Sequence, residues 1–337
     1  MIQRKRPIFA AITFLCFAMV ILGAREYSMR LQETAMGLNF VPDEPALKYE
    51  FLPGGALNSG GFNERELPKD KAAGTKRVAV LGDSVTHGAS VLQPKIYSRV
   101  AEDLAHAAGR TDIQTLNFAV HGYDIESIRG LAAARIGAFH PDLVVYGFYV
   151  NDPIRTELVD TDRGRPDRHP VWVGSGPRDF SVLSSTLDPF FHRHSAFFRA
   201  IEGARGVRAV AARSSPEKLQ WDWFEIELDR LVQEVQKLGV PLVVLMIPPH
   251  VMIKPDLDAC DELAARPHYC AKNQEVLTKA RELFSARGLR IIDGVAAYRE
   301  GGFADLFALP GDLDHPNAEG QRRLGVALGT ALPELLP

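Results

Sequence analysis

The chain has 337 residues, of which 46% are hydrophobic and 24% are charged. This composition is that of a folded globular protein and excludes a disordered one, and the length accommodates one large α/β domain with appendages. The net charge of -3 provides no basic field, which argues against nucleic acid as a partner.

The N-terminal segment has the layout of a membrane anchor. The basic cluster Arg4-Lys5-Arg6 precedes an uncharged, mainly apolar stretch from Pro7 to Ala24. A helix of this length spans about 27 Å, close to the thickness of the bilayer's hydrocarbon core. The positive-inside rule keeps the N-terminus cytoplasmic and exports the chain beyond the helix. We therefore expect residues 1–25 to form an uncleaved signal anchor, a single transmembrane helix, in the cytoplasmic membrane. The rest of the chain is then extracytoplasmic or periplasmic. A cleaved, secreted form is the second choice, because Leu22 fits a cleavage site poorly.

The next segment, residues 26–76, is rich in Gly, Pro, Asn and charged residues. It has no sustained period of either 2 or 3.6, so it is predicted to be a stalk and an extended lead-in. A regular pattern begins at Arg77, and residues 77–337 are predicted to form the main domain.

The first predicted strand of that domain is the apolar run Val78–Leu81, which ends at Gly82-Asp83-Ser84. Such a run is typical of a strand buried on both faces. Ser84 therefore lies at the carboxyl end of a strand, where open parallel sheets bind ligands. From this stretch alone Ser84 is either a nucleophile or a helix N-cap, and Asp83 is a second candidate cap.

Helices and strands then alternate along the chain. Strands are predicted at residues 113–120, 143–146, 240–247 and 289–292, and helices at residues 95–108, 125–139, 217–238 and 271–287, with a final helix that starts at Pro316. This alternation predicts right-handed crossovers and a doubly wound α/β domain with a parallel sheet.

An insertion at about residues 153–216 interrupts the alternation. It contains a predicted helix from Ala196 to Arg213 with several arginines. Three interpretations of this insertion are open: a packed structural insertion, a cover over the substrate, or a basic surface that lies near anionic lipid headgroups. His192 and His194 are interpreted as surface histidines, because no third metal ligand is evident.

Two cysteines, Cys260 and Cys270, enclose a short polar loop. In an exported, oxidising setting we expect them to form a disulfide, provided that their Cα atoms come within about 7 Å. Their spacing lacks the close pairs that are typical of a zinc site.

A serine nucleophile needs a general base, a group that orients the base, and donors for the developing oxyanion. The carboxyl ends of parallel strands converge on one edge of the sheet, which brings together Ser84, Gly122, Asn151 and the turn from Asp312 to His315. In that arrangement His315 is the candidate base, and Asp312, three residues earlier, orients it. The backbone N–H groups of Ser84 and Gly122 and the side-chain amide of Asn151 are the candidate oxyanion donors.

These four blocks resemble those of the SGNH/GDSL hydrolase superfamily: Gly82–Gly88, Gly122 after Asn117–Val120, Asn151-Asp152, and Asp312–Asn317. They occur in the order of that family, and the resemblance covers about residues 77–332 apart from the insertion. It implies a flavodoxin-like three-layer α/β/α fold, no metal or organic cofactor, and acyl-ester hydrolysis or acyl transfer. The α/β-hydrolases share the order Ser, Asp, His, but their nucleophile turn is Gly-x-Ser-x-Gly, so they are excluded.

Two positions depart from the pattern of the family. Tyr149 stands where the family usually has Gly, which predicts a narrower wall near Asn151. His121 precedes Gly122 and is expected to make a structural or substrate contact rather than to act as a second base. Asp314, next to His315, is expected to point away from the site.

The leading hypothesis is a serine esterase or deacylase that hydrolyses O-acyl esters, O-acetyl esters included, of an extracytoplasmic polysaccharide or lipid. One alternative is an acyl-transferase that modifies an exopolysaccharide through the same acyl-enzyme. The other is a non-catalytic, membrane-tethered carbohydrate-binding or assembly protein, which the intact blocks disfavour. The expected partners are the acyl-ester substrate and the membrane, and the sequence indicates no oligomeric state.

Overall fold

The computed structural model describes residues 13, 17–27, 39–40, 47, 50–51, 57–66, 68–89, 91, 93–158, 171–172, 177–178, 195, 212–214, 219–254, 256–300, 306, 312 and 314–337. The chain forms two compact units. The first comprises Met1–Asp43, Tyr49–Gly55 and Leu158–Ala212, and the second comprises Glu44–Lys48, Ala56–Glu157 and Arg213–Pro337. The division predicted from the sequence, into an anchor, a lead-in and a main domain, stays a prediction.

The second unit is built on a five-stranded sheet. Its strands are β1 (Lys76–Gly82), β2 (Ile113–Asn117), β3 (Leu143–Tyr149), β4 (Leu242–Ile247) and β5 (Arg290–Asp293). All neighbouring strands are parallel, and their order is β2-β1-β3-β4-β5. This is the flavodoxin-like order, in which the switch point for ligand binding lies between β1 and β3. The parallel α/β sheet predicted from the sequence is therefore confirmed.

Helices cover both faces of this sheet. They are α1 (Ser84–His87), α2 (Tyr97–Ala107), α3 (Ile125–Ala134), α4 (Trp221–Lys237), α5 (Leu257–Ala264), α6 (Tyr269–Ala286), α7 (Gly294–Glu300) and α8 (Ala318–Leu335). Helix α2 packs on α8, and α3 packs on α4. On one face of β3, the Phe148 ring contacts Phe224 of α4 and Phe284 of α6. Because side chains alternate along a strand, Gly147 lies on the opposite face, beside Tyr97 of α2.

Two glycines let α1 lie directly on the sheet. Gly82 of β1 and Gly147 of β3 are paired in register. A Cβ atom at either position would collide with Oγ1 of Thr86, in the middle of α1. Glycine is therefore required at both positions, because α1 approaches the sheet closely there. This close approach places Ser84, the first residue of α1, at the switch point of the sheet.

The lead-in contributes two buried polar residues to the second unit. The Asn63 side chain donates to the carbonyl of His87 at 2.8 Å, and the Asn117 N–H donates to Glu64 Oε2 at 2.9 Å. Asn63 and Glu64 are 5% and 4% exposed, and burial raises the pKa of Glu64 to about 8. This part of the segment interpreted as a stalk therefore packs against the end of α1 and against β2.

Several predicted boundaries differ from those observed. The loop predicted around the two cysteines contains helix α5, whose N-cap is Asp256 and whose buried side is narrow, namely Cys260 and Ala264. The last helix starts at Ala318 rather than at Pro316, because the Asn317 side chain accepts hydrogen bonds from the N–H groups of Glu319 and Gly320 and caps it.

The insertion is described only in part. Most of its predicted helix, residues 196–211, lies outside the described residues, as do His192 and His194, and Ala212–Ser214 is a strand. In the first unit, Val171–Trp172 pairs antiparallel with Pro177–Arg178, and Asn39–Phe40 pairs antiparallel with Glu50–Phe51.

Residues 17–27 are helical and carry exposed apolar side chains, among them Phe17 and Val20. Residues 1–12 and 14–16 of the predicted anchor lie outside the described residues. Within the part of the chain that is described, no helix has both the length and the apolar character needed to cross a membrane.

A disulfide joins Cys260 of α5 to Cys270 of α6, with the Cα atoms 6.1 Å apart. Both cysteines are buried. The carboxylate of Asp261 accepts hydrogen bonds from the N–H groups of His268 and Cys270, which fixes the turn between the two helices.

We expect the double variant Cys260→Ala/Cys270→Ala to have a free energy of unfolding lower by about 3 kcal/mol, because the disulfide restricts a short loop of the unfolded chain. Urea denaturation of the oxidised wild type and of the variant measures this difference. Adding a reductant should lower the unfolding midpoint of the wild type and leave that of the variant unchanged. Equal unfolding midpoints without reductant would contradict the stabilising role of the disulfide.

Candidate active site

The turn after β1 shows how Ser84 is presented. Asp83 is the N-cap of α1, and its Oδ1 accepts the N–H of Val85 at 2.9 Å. Gly88 ends the helix with a positive φ of 76°, which suits glycine. Because Asp83 supplies the cap, the Ser84 hydroxyl is available for another contact. Ser84 is therefore not the helix cap, and its role as a nucleophile stays a prediction.

The structure brings Ser84, His315 and Asp312 together. His315 Nε2 lies 2.9 Å from Ser84 Oγ, and His315 Nδ1 lies 3.0 Å from Asp312 Oδ2. A carboxylate only accepts hydrogen bonds, so it selects the tautomer with the proton on Nδ1. Nε2 is then the acceptor for the Ser84 hydroxyl, and the arrangement can remove a proton from Oγ.

The other carboxylate oxygen of Asp312 is also fixed. Its Oδ1 accepts the N–H of Asp314 at 2.9 Å and the N–H of His315 at 3.0 Å. Burial raises the pKa of Asp312, but these two hydrogen bonds and the His315 ring outweigh burial and hold the pKa below its ordinary value. Asp312 is therefore ionised at neutral pH and faces the ring of His315.

The candidate oxyanion donors lie at the same sheet edge. After β2, the N–H groups of Phe118 and Val120 bond to carbonyls of β1. Gly122, which has a φ of 82°, lies in the turn that the N–H of Tyr123 closes on the carbonyl of Val120. Asn151 is exposed in the turn that follows β3. Ser84, Gly122 and Asn151 thus follow three adjacent strands, β1, β2 and β3.

Asp152 holds the turn that carries Asn151. Its Oδ2 accepts the N–H of Tyr149 at 3.0 Å and the hydroxyl of Tyr146 at 2.6 Å. Burial, and then the charge of Asp83, raise the pKa of Asp152 well above its ordinary value. Burial likewise raises the pKa of Asp83 to about 6, against its hydrogen bond from Val85. Through these hydrogen bonds, the carboxyl group of Asp83 fixes the turn that carries Ser84, and the carboxyl group of Asp152 fixes the turn that carries Asn151.

Two further histidines lie next to the site. The ring of His121 stacks on that of His315, with centroids 5.8 Å apart and planes inclined by 18°. Desolvation by the surrounding protein, and then the nearby His315, lower the pKa of His121. His87 is buried at the end of α1, and its Nδ1 lies 3.1 Å from the carbonyl of Ala119.

Burial lowers the pKa of His87 to about 4. Between that value and its unfolded pKa of about 6.5, the unfolded chain binds more protons, so stability falls as the pH falls. From pH 7 to pH 5, we expect the free energy of unfolding of the wild type to drop by about 2 kcal/mol more than that of His87→Asn. Asparagine keeps a donor for Ala119 but does not titrate. Urea denaturation at both pH values measures the difference, and parallel losses in the two proteins would refute it.

One contact at the site was not predicted from the sequence. The Tyr149 hydroxyl donates to Asp314 Oδ1 at 3.0 Å, although Asp314 was expected simply to point away from the site. The only signal in the sequence was the departure at Tyr149 itself. Among the described residues, no cluster of His, Cys, Asp or Glu is arranged to hold a metal ion.

Residues 80–323 match the model of the GDSL-like lipase/acylhydrolase family. Among solved structures, the acetyl xylan esterase AlAXEase has 16% identity and a TM-score of 0.44, over 76% of this chain and 99% of that chain. TesA has 14% identity and a TM-score of 0.45, over 77% of this chain and 100% of that chain. A catalytic mutant of Axe2, an acetylxylan esterase from Geobacillus stearothermophilus, has 15% identity and a TM-score of 0.45, over 79% of this chain and 97% of that chain. No curated protein matches the chain.

Proposed function

The chain belongs to the GDSL-like lipase/acylhydrolase family, and from that membership we propose that it is a serine esterase or deacylase. Membership also confirms the resemblance drawn from the four sequence blocks. The proposed substrates are O-acyl esters, O-acetyl esters included, of a polysaccharide or lipid outside the cytoplasm.

One observation carries the proposal: a continuous pair of hydrogen bonds, 2.9 Å from Ser84 Oγ to His315 Nε2 and 3.0 Å from His315 Nδ1 to Asp312 Oδ2. Ser84 and His315 are separated by 231 positions in the chain. Nothing local in the sequence requires them to meet, whereas acyl transfer requires this arrangement.

In the proposed mechanism, Ser84 Oγ attacks the ester carbonyl carbon while His315 Nε2 takes the hydroxyl proton. Asp312 stabilises the imidazolium that forms. The N–H groups of Ser84 and Gly122 and the amide of Asn151 receive the developing oxyanion. His315 then protonates the alcohol oxygen as the ester bond breaks. The alcohol departs, and the acyl group stays bonded to Ser84 Oγ. Water, deprotonated by the same His315, releases the acid and restores the serine.

Substrate class is tested with an acetylated sugar and with p-nitrophenyl esters of increasing acyl length. We expect release of free acetate, and we expect an added acceptor sugar to leave its yield unchanged. Acetylated acceptor, detected by mass spectrometry in place of free acetate, would instead identify an acyl-transferase. Absence of any turnover, together with binding of the intact polysaccharide, would identify a carbohydrate-binding or assembly protein.

The Asn151→Ala variant tests the assignment of the oxyanion donors. We expect kcat to fall about 10²-fold to 10³-fold while KM stays within about twofold, because the amide acts mainly on charge that develops in the transition state. Steady-state kinetics on p-nitrophenyl acetate measure both constants. A rise in KM with unchanged kcat would assign Asn151 to ground-state binding instead.

We further propose that residues 1–25 anchor the chain and that the second unit is extracytoplasmic. The basic cluster before the apolar stretch supports this orientation, and the disulfide between Cys260 and Cys270 suits an oxidising compartment. A C-terminal alkaline phosphatase fusion of the full chain should be active in a bacterial host, whereas a β-galactosidase fusion should not. The reverse result would overturn the proposed location, and the mass of the membrane-bound product distinguishes a retained anchor from a cleaved one.

A further inference from the structure

Tyr149 connects two parts of the site that are remote in sequence. It is the last residue of β3, two residues before Asn151, and its hydroxyl donates to Asp314 Oδ1 at 3.0 Å. Asp314 lies between Asp312 and His315, in the turn from Asp312 to His315, which we call the catalytic turn. The hydrogen bond therefore ties the strand end that carries Asn151 to the turn that carries the base.

The two partners of this hydrogen bond differ in exposure. Tyr149 is 1% exposed, whereas Asp314 is exposed to solvent. Water can therefore satisfy Asp314 without Tyr149. The buried hydroxyl, in contrast, relies on the carboxylate, because an unpaired buried donor is costly. Replacing Tyr149 by Phe removes that donor and leaves no buried polar group unsatisfied at this bond, so it should cost little stability.

The backbone of Asp314 determines where the carboxylate of Asp312 lies. Asp312 Oδ1 accepts the N–H groups of Asp314 and His315, and Asp312 Oδ2 faces the His315 ring. A displacement of Asp314 is thus passed to Asp312 and to the ring nitrogen that faces Ser84. Small displacements of reacting groups reduce rates strongly.

We propose that Tyr149 is a positioning residue, whose hydrogen bond to Asp314 keeps the catalytic turn aligned with the candidate oxyanion donor Asn151, which follows β3. This inference rests on the proposed function and specifies how its acid–base machinery is aligned. It also gives a role to the tyrosine that replaces the usual glycine of the family at this position.

The test compares the wild type with Tyr149→Phe, Asp314→Ala, Asp314→Asn and the double variant Tyr149→Phe/Asp314→Ala. Asparagine at position 314 keeps an oxygen that can accept a hydrogen bond from the Tyr149 hydroxyl, but it removes the negative charge of the carboxylate. Tyr298→Phe is the matched control, because Tyr298 is fully buried and, among the described residues, its hydroxyl has no hydrogen-bond partner. For each protein we measure the second-order rate of fluorophosphonate labelling, the kcat and KM for p-nitrophenyl acetate, and the thermal unfolding midpoint.

We expect Tyr149→Phe and Asp314→Ala each to reduce kcat and the labelling rate about tenfold, with KM unchanged and unfolding midpoints within a few degrees of the wild type. The double variant should be no slower than either single variant, because both remove the same interaction. Asp314→Asn should recover most of the rate, and Tyr298→Phe should match the wild type.

Three results would overturn the positioning role. The first is a wild-type kcat in Tyr149→Phe, and the second is a double variant in which the losses of kcat from the two single variants add up. The third is an equal loss of kcat in Asp314→Asn and Asp314→Ala. The last result would point to the charge of Asp314 rather than to its hydrogen bond. A wild type that does not react with the fluorophosphonate would instead refute the proposed function. The two failures are therefore distinguishable.

Discussion

Replacing Ser84 by alanine is expected to lower kcat/KM for an activated acetyl ester by at least about 10⁴-fold, and this is the largest effect that we predict. The variant keeps the cap at Asp83 and the packing of Thr86 on the two glycines, so the turn should retain its shape. It removes only the oxygen that lies 2.9 Å from His315 Nε2. Steady-state hydrolysis of p-nitrophenyl acetate measures the loss.

Ser98→Ala is the matched control for this experiment. Ser98 is a buried serine of α2, and within the described part of the chain its hydroxyl has no hydrogen-bond partner. Its replacement should leave the rate unchanged. Comparable activity in Ser84→Ala and the wild type would show that another residue is the nucleophile.

The second large effect is expected for Asp312→Asn, with kcat reduced about 10³-fold to 10⁴-fold. The structure explains why this nearly isosteric change is severe. Oδ1 of Asp312 accepts two backbone N–H groups, so the amide oxygen of asparagine must take that position. The amide NH₂ group then faces His315 Nδ1 and selects the tautomer with the proton on Nε2. That tautomer cannot accept the proton of Ser84.

Asp256→Asn is the control for the loss of a capping carboxylate. Asp256 accepts the N–H of Ala259 at 2.7 Å at the start of α5, and asparagine caps helices equally well. Activity should therefore be unchanged in this variant, and both variants should keep the unfolding midpoint of the wild type. If Asp312→Asn kept more than about a tenth of the kcat, Asp312 would have no essential role in orienting His315.

The sheet was predictable because parallel strands covered on both faces leave unbroken apolar runs, such as Val78–Leu81. Helix α5 was missed because it is short and buries only Cys260 and Ala264, while the apolar Leu257 is exposed, so its apolar residues do not mark one buried face. The start of α8 was misplaced because proline and asparagine are both favoured near a helix start, and the capping hydrogen bonds of Asn317 decide between them.

The meeting of Ser84, His315 and Asp312 was predictable for a topological reason. Strand ends of one parallel sheet meet at one edge, so short polar blocks after successive strands converge there. The hydrogen bond between Tyr149 and Asp314 was not predictable, because it joins residues 165 positions apart through side-chain packing that no local pattern encodes. The same holds for the packing of Asn63 and Glu64 against α1 and β2, because both residues lie in the segment that was predicted to be a stalk and an extended lead-in.

The role of Ser84 as the nucleophile is tested most directly by peptide mapping with mass spectrometry, after the intact, folded chain has reacted with a fluorophosphonate. We predict a single adduct per chain, on Ser84, and no adduct in the Ser84→Ala variant. An adduct on a different residue, or an unmodified Ser84 in a folded protein, would contradict the claim.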